Sequence, residues 1–387
     1  MSKNNNRDIS RRQFLATAVG TSSALLLGPM LPNASAQGDD PRMAKVLSKT
    51  IGVDMHNHVY PAGTEPHPGG GPPPQQGRQE DQHSQDLSLT EEIKQSGLTA
   101  VCASFVLDFT QNKKPGDARE NYLGWLTAID AELEKSKMRR ALTLRDLETA
   151  HRLGQPTIVQ TVEGAQFIEG HLDRVEEVYK RGLRHLQLLH MRDDMVSPLG
   201  DVITASPHLG GLTPFGADVV KECNRLGILV DLAHATPETV LGALKVTTKP
   251  ILVSHTGLDS QTGGNPRMAE MMKPHLISKE HAKVVADAGG VVGVWTKLAD
   301  SLKGFVENIR AMVDAIGIDH VGIGTDTDLL SSRVGSGTNR AWVGLTGGFF
   351  YVVVAEMLHQ GFTPDEIVKV GGGNYCRVFD RATSVHG

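Results

Sequence analysis

The chain has 387 residues, 39% hydrophobic and 21% charged, with a formal net charge of -5 at pH 7. That is the composition of an ordinary soluble globular protein, with room for one large α/β barrel or two smaller domains. No basic stripe, arginine-rich tail or interleaved aromatic platform occurs, which argues against nucleic acid as a partner.

The N-terminus reads as an export signal. Ser10-Arg11-Arg12-Gln13-Phe14-Leu15 is a twin-arginine pattern, a modest apolar stretch runs from Ala16 to Leu27, and Ala34-Ser35-Ala36 is an A-x-A cleavage site. Thr17, Gly20, Thr21, Ser22 and Ser23 make a poor permanent span, because a stable one needs about 20 mostly apolar residues. Residues 1–36 are therefore expected to be removed on export, leaving 37–387 as one periplasmic or secreted domain without a stable membrane span. Cys102, Cys223 and Cys376 are odd in number and lack a C-x-x-C pair, so they read as buried small hydrophobes.

Past the signal, strand-like and helix-like patterns alternate. The first strand, 51–55, runs into His56-Asn57-His58. Two imidazoles two residues apart point to one side and can bind one ion; a pair of surface histidines is the plain alternative. Residues 61–85 then hold Pro68-Gly69-Gly70-Gly71-Pro72-Pro73-Pro74, which cannot continue helix or strand. This segment is expected to overhang the strand end as a flap, unless it is an insertion without a role.

A helix at 89–96 opens after Ser88, and strands follow at 99–106 and 157–162. The second of these ends on Glu163. Burying an unpaired carboxylate costs on the order of several kcal/mol, which favours a cation beside it. Its two oxygens can also bridge two ions. A solvated loop Glu next to Gly164 is the other reading.

A helix at 172–181 leads to a strand at 184–189 that ends on His190, a candidate oxyanion donor. After a helix at 214–226, the strands 228–232 and 250–254 run into His234 and His255, with a helix at 237–244 between them. These two histidines can hold a second ion; a core His bonded to backbone is the alternative for each. Arg267, in the loop after His255, suits a substrate carboxylate, which it can grip bidentately, or else it is a solvated loop Arg. A helix at 278–288, a strand at 290–295, a helix at 302–316 and a strand at 320–324 lead to Asp326. A carboxylate at that position can move a proton during hydrolysis; it can also be a turn Asp, and Asp328 competes for the role. A last helix is expected at 348–359.

Gly182, Gly227, Gly289 and Gly317 stand where helices would stop. His151, His171, His208, His281 and His359 fall on helices or loops and carry no such signal.

Eight strands, most of them continuous Val/Ile/Leu runs, point to parallel strands covered on both faces. The expected fold is a (β/α)8 TIM-type barrel. Five of its strands end on metal-ligand types of residue, and a barrel brings such ends to one rim. The pattern points to a metal-dependent hydrolase.

At these residues the chain resembles the membrane dipeptidase (renal dipeptidase) family of zinc peptidases. The similarity runs from about Gly52 to Phe379 through Val53-Asp54-Met55-His56-Asn57, Val162-Glu163-Gly164, Leu188-Leu189-His190, Asp231-Leu232-Ala233-His234, Ser254-His255, Asn265-Pro266-Arg267, Gly322-Ile323-Gly324-Thr325-Asp326-Thr327-Asp328 and Gly372-Gly373-Asn374-Tyr375-Cys376-Arg377-Val378-Phe379. The resemblance implies a barrel with two zinc ions, His56 and His58 on the first, His234 and His255 on the second, and Glu163 bridging. It implies attack of a metal-bridging hydroxide on the peptide bond of a dipeptide, with Asp326 handling the proton, His190 stabilising the oxyanion and Arg267 holding the C-terminal carboxylate.

Two departures stand out. The family has His-x-Asp at the first strand, where this chain has His56-Asn57-His58, so the first site gains one unit of charge. The family's Asp-Phe-Asp-Gly reads Asp326-Thr327-Asp328-Leu329 here. These leave an amidohydrolase-type lactonase or amidase, acting on a small non-peptide substrate, as the alternative. The sequence leaves a homodimer open.

Overall fold

The computed structural model describes residues 40–62, 64, 87–108, 112, 114–192, 196–331 and 336–384. The expected signal at 1–36 and nearly all of the Pro/Gly-rich segment at 61–85 lie outside the described residues.

Among the described residues nine strands form: β1 (Val53–Val59), β2 (Ala100–Ser104), β3 (Thr157–Gln160), β4 (His185–Gln187), β5 (Leu229–Asp231), β6 (Ile251–Thr256), β7 (Val291–Val294), β8 (Val321–Ile323) and β9 (Thr327–Leu329). Every pairing is parallel, in the orders β3-β2-β1-β9 and β4-β5-β6-β7-β8. Parallel bridges Gln160↔Leu183 and Glu163↔Gln187 tie the end of β3 to β4. On the other side, Asp326 N–H donates to the His56 carbonyl at 3.1 Å and Thr325 N–H to Asp54 Oδ1 at 2.8 Å, drawing the end of β8 against β1. The architecture is the (β/α)8 barrel that the strand count predicts.

Side-chain alternation separates two cores. Val53 and Met55, Ala100 and Cys102, Val159, Leu229, Leu252 and Val291 pack together in one apolar cluster. Their neighbours in the strands, such as Val101, Ile158, Leu186, Val230, Val253, Val292 and Val321, join the larger cluster with the helices. This is the inside–outside division of a closed sheet, where successive residues face opposite sides. The C-terminal helix Asn374–Thr383 adds Tyr375, Cys376 and Phe379 to the inner cluster. All three cysteines are buried free thiols.

The eight expected strands are all present, and the helices Leu89–Ser96, Pro214–Leu226, Pro237–Leu244 and Leu302–Ile316 have the expected limits. Their caps explain the agreement. Ser88 and Glu91 form a reciprocal capping box, Thr213 and Thr236 accept from the third residue on, and Gly97 and Gly227 take left-handed conformations at the far ends. Among the described residues, β9, the long helix Asp117–Lys135 and the short helix Pro266–Met272 are elements that the sequence pattern did not anticipate. β9 has three residues, too few to show a period; it forms because Thr327, Asp328 and Leu329 pair with Asn57, His58 and Val59. No described helix is long and apolar enough to cross a membrane.

Candidate functional site

Glu163 leaves β3 at a point where its chain bridges Val106 on one side and Gln187 on the other, which holds the carboxylate inside the barrel mouth. It is 1% exposed, yet imidazoles surround it. Oε2 lies 3.4 Å from His56 Nε2 and 3.7 Å from His58 Nε2. Oε1 lies 3.3 Å from His190 Nε2 and 3.4 Å from both His234 Nε2 and His255 Nε2. Five imidazoles from four barrel segments thus meet the two oxygens of one acid.

The next residues set how each ring is aimed. His58 Nε2 lies 2.9 Å from Asp326 Oδ1, while Lys297 Nζ lies 3.5 Å from Asp326 Oδ2. His190 Nδ1 is held by Asp108 Oδ1 at 2.6 Å, and the other Asp108 oxygen accepts from Met191 N–H at 3.0 Å. His255 Nδ1 meets Ser254 Oγ at 3.0 Å, and His275 Nδ1 approaches His234 Nδ1 at 3.4 Å. The Gln187 amide donates weakly to Glu163 Oε1 from below.

Backbone strain gathers here as well. His234 and Asp326 are non-glycine residues with φ of 65° and 54°. The left-handed region costs an ordinary residue roughly 1–2 kcal/mol, and such outliers concentrate at functional sites. Close packing beneath needs glycine. A Cβ at Gly293 or Gly324 would lie 1.8 Å from the Ser254 carbonyl oxygen, so β6, β7 and β8 approach this closely only without side chains there.

Charge in the cluster is strongly perturbed. Glu163 and Asp326 both stay ionised far below the usual carboxylate range. Burial opposes this, but is outweighed by His190 and His56 around Glu163, and by Lys297 and His58 around Asp326. Burial lowers His56 to about 3, with His255 adding to the effect. His190 goes the other way, to about 9, because Glu163 and Asp108 overcome its burial. His58 is also raised, by its bond to Asp326 and the charge on Glu163, against the effect of burial.

The donor set fits divalent metal. The sets His56–His58–Glu163, His56–His255–Asp326 and Glu163–His190–His234 each bring their ligand atoms within 4.8 Å of one another. His56 Nε2 is buried without a hydrogen-bond partner, and His234 Nε2 and His255 Nε2 face each other at 2.9 Å. Buried imidazole nitrogens left aimed at one point, beside a carboxylate, suit a cation better than they suit each other.

The comparisons with known proteins agree with this geometry. Residues 41–386 match the model of the membrane dipeptidase family, peptidase family M19. The chain belongs to the membrane dipeptidase family. The dipeptidase tcpJ of Claviceps purpurea is 27% identical over 266 residues, which cover 66% of this chain and 57% of that protein. The chain therefore spans somewhat over half of that relative's length. Among solved structures, an amidohydrolase from Pseudomonas aeruginosa superposes with a TM-score of 0.67 at 21% identity, covering 89% of this chain and 99% of that one. A metallo peptidase from Rhodobacter sphaeroides, liganded with a phosphinate mimic of the dipeptide L-Ala-D-Ala, gives 0.64 at 18% identity over 86% and 99%. Both likenesses speak for the barrel.

Of the residues singled out in the sequence, His56, His58, Glu163, His190, His234, His255 and Asp326 come together. Arg267 lies exposed in the first turn of Pro266–Met272, where its main-chain N–H donates to Asn265 Oδ1. Asp108, His275 and Lys297 were not anticipated. Asp108 ends the apolar run Val101–Leu107 just as Glu163 ends its own, so the same signal was available. Lys297 follows β7 and breaks the pattern by sign, which is why a search for metal ligands passes over it.

Proposed function

We propose that this protein is an exported metallodipeptidase with two zinc ions, hydrolysing the peptide bond of a dipeptide. The observation that carries the reading is the division of imidazoles between the two oxygens of Glu163. His56 and His58 would hold one ion, His234 and His255 the other, and Glu163 both. Zinc in such a site polarises a carbonyl and lowers the pKa of water.

The protein's own groups supply the rest. Asp326 is ionised and sits at the rim, 2.9 Å from His58, so it can accept a proton from the attacking water and pass it to the leaving nitrogen. His190 is favoured in its protonated form and braced through Nδ1 by Asp108, so its Nε2, which lies 3.3 Å from Glu163 Oε1, would turn its N–H to the developing oxyanion. Burial of Glu163 and the imidazoles limits bulk water around them and strengthens their interactions.

The test is hydrolysis of a panel of L-L and L-D dipeptides with added Zn²⁺, alongside lactones and small amides. Dipeptide turnover that disappears with a chelator is the expected result. One observation favours a second reading, an amidohydrolase-type lactonase or amidase: His58 stands where the family has Asp, which gives the first site one more unit of charge. Turnover of lactones or amides alone would replace the first reading with the second. Export rests on the twin-arginine and A-x-A patterns, with 37–387 as the mature barrel domain; a secreted form beginning at Gln37, seen by intact mass, is the expected product. Absence of any processed form in the periplasm or medium removes the export proposal.

A further inference from the structure

Both oxygens of Asp326 are engaged, each by a different strand end. His58 Nε2 lies 2.9 Å from Oδ1, and Lys297 Nζ lies 3.5 Å from Oδ2. The approach of Lys297 is built into the backbone. Thr296 donates twice to the Thr325 carbonyl, through its N–H at 3.2 Å and its hydroxyl at 2.9 Å. The residues that follow, Lys297 after β7 and Asp326 after β8, are thereby set side by side. Among the described residues, Asp326 is the one ion-pair partner of Lys297.

The two contacts cannot both persist once a cation binds. His58 Nε2 is the atom that faces Glu163 in the set His56–His58–Glu163. An imidazole nitrogen that ligates a cation has no proton left to donate, so His58 must release Asp326 when it takes up the first ion. Lys297, with three donors and no acceptor, keeps its hold. Asp326 needs such a hold. Its main chain is fixed by the bond from its N–H to the His56 carbonyl, so side-chain rotation decides where its carboxylate goes. One direction leads to the ions, because a carboxylate oxygen of Asp326 and ligand nitrogens of His56 and His255 lie within 4.8 Å of one another. A carboxylate turned onto a cation accepts a proton poorly.

We propose that Lys297 is a positioning residue that holds Asp326 off the metal and so keeps it free for proton transfer. The proposal rests on the metal site and on the role of Asp326 in the dipeptidase reading. Lys297 acts through Asp326 and touches neither the ions nor the scissile bond.

The experiment compares the wild type, Lys297→Met, Lys297→Arg, Asp326→Asn and the double variant Lys297→Met/Asp326→Asn. Each is loaded with Co²⁺ for visible absorption and with Zn²⁺ for kinetics on one dipeptide. Asp326→Asn should leave the cobalt bands of the wild type in place, since Asp326 is not a ligand there. Lys297→Met should shift them, and the double variant should return them to the wild-type position. In kinetics, Lys297→Met should lower kcat about 10- to 100-fold, as for other groups that orient the residues of a metal site. KM should stay within about twofold, and Lys297→Arg should restore most of kcat. Cobalt bands unchanged in Lys297→Met overturn the proposal, as does a shift that persists in the double variant. A rise in KM with kcat intact overturns it as well, because Lys297 would then serve the substrate directly. A wild type inert on dipeptides whose cobalt bands still respond to Lys297→Met counts against the dipeptidase reading and supports the placement of Asp326 by Lys297.

Discussion

The two sides of Glu163 are built on the same plan and finished differently. Beneath each lies a fully buried aspartate that pins main-chain N–H groups next to the ring-bearing residues. Asp54 accepts from His56 N–H and from Thr325 N–H, directly before Asp326. Asp231 accepts from Ala233 N–H and Ser254 N–H, directly before His234 and His255. Their remaining partners differ. Asp231 also faces the imidazole of His185 at 3.0 Å, whereas Asp54 meets the hydroxyl of Thr325 and the amide of Asn57. The consequence is opposite charge behaviour. Burial lifts Asp54 to about 6, while at Asp231 burial is overcome by His185 and the carboxyl falls to about 2. A buried carboxylate stays charged when an imidazole faces it and strains toward neutrality when only neutral dipoles do. Each side of the site is thus held by hydrogen bonds to the backbone, and only on the Asp231 side does an imidazole face the buried aspartate.

The largest effect should come from removing the shared element. Glu163→Gln keeps the shape and deletes the charge between both sides, so turnover should drop on the order of 10⁴-fold or more, with bound zinc lost. Metal analysis beside kinetics checks this, and zinc retained at two per chain would show that Glu163 does not bridge. Asp326→Asn acts on one side. A loss of about 10²- to 10³-fold in kcat with metal retained is expected for a proton-transfer group; if zinc departs with the activity, Asp326 is chiefly a ligand.

Asp231→Asn attacks the support of the other side. Zinc affinity should weaken about 10- to 100-fold, as for groups that orient ligands, and a competition titration would read it. The same variant carries a pH signature. The folded carboxyl of Asp231, at about 2, lies below its ordinary 3.8, so its stabilisation is present above about pH 4 and is lost as pH falls through about 2. That is on the order of 2 kcal/mol, and the variant should show a flatter acid limb over this window in denaturant melts. An unchanged limb would mean that His185 does not hold the charge. The smallest effect on kcat is expected at Arg267→Ala: KM for dipeptides should rise about 10-fold with kcat little changed, and an unchanged KM would remove Arg267 from the carboxylate.

How far the strand ends could be read from the sequence varied with the kind of interaction. His56, Glu163, His234, His255 and Asp326 each follow an apolar run, so their placement is local, a matter of where a buried strand reaches the rim. His58 shares the side of His56 for the same reason. The partners are another matter. Asp108 and His190 are separated by 82 positions, and His58 and Asp326 by 268, and no period or spacing links residues so far apart. Lys297 was invisible because a lone lysine after a strand has many uses, and only its distance to Asp326 selects one.

Local chemistry was enough to settle the element order, the parallel strands and the residues delivered to the barrel mouth, because apolar runs, caps and left-handed glycines act over a few residues. Closure of the sheet settled the rest. It divided five imidazoles between two oxygens, gave Asp231 an imidazole partner and Asp54 none, forced His234 and Asp326 into strained conformations, and put Lys297 beside Asp326. Those outcomes depend on distances across the barrel of a few ångströms between segments far apart in the chain, and electrostatic and hydrogen-bond energies are decided at that range.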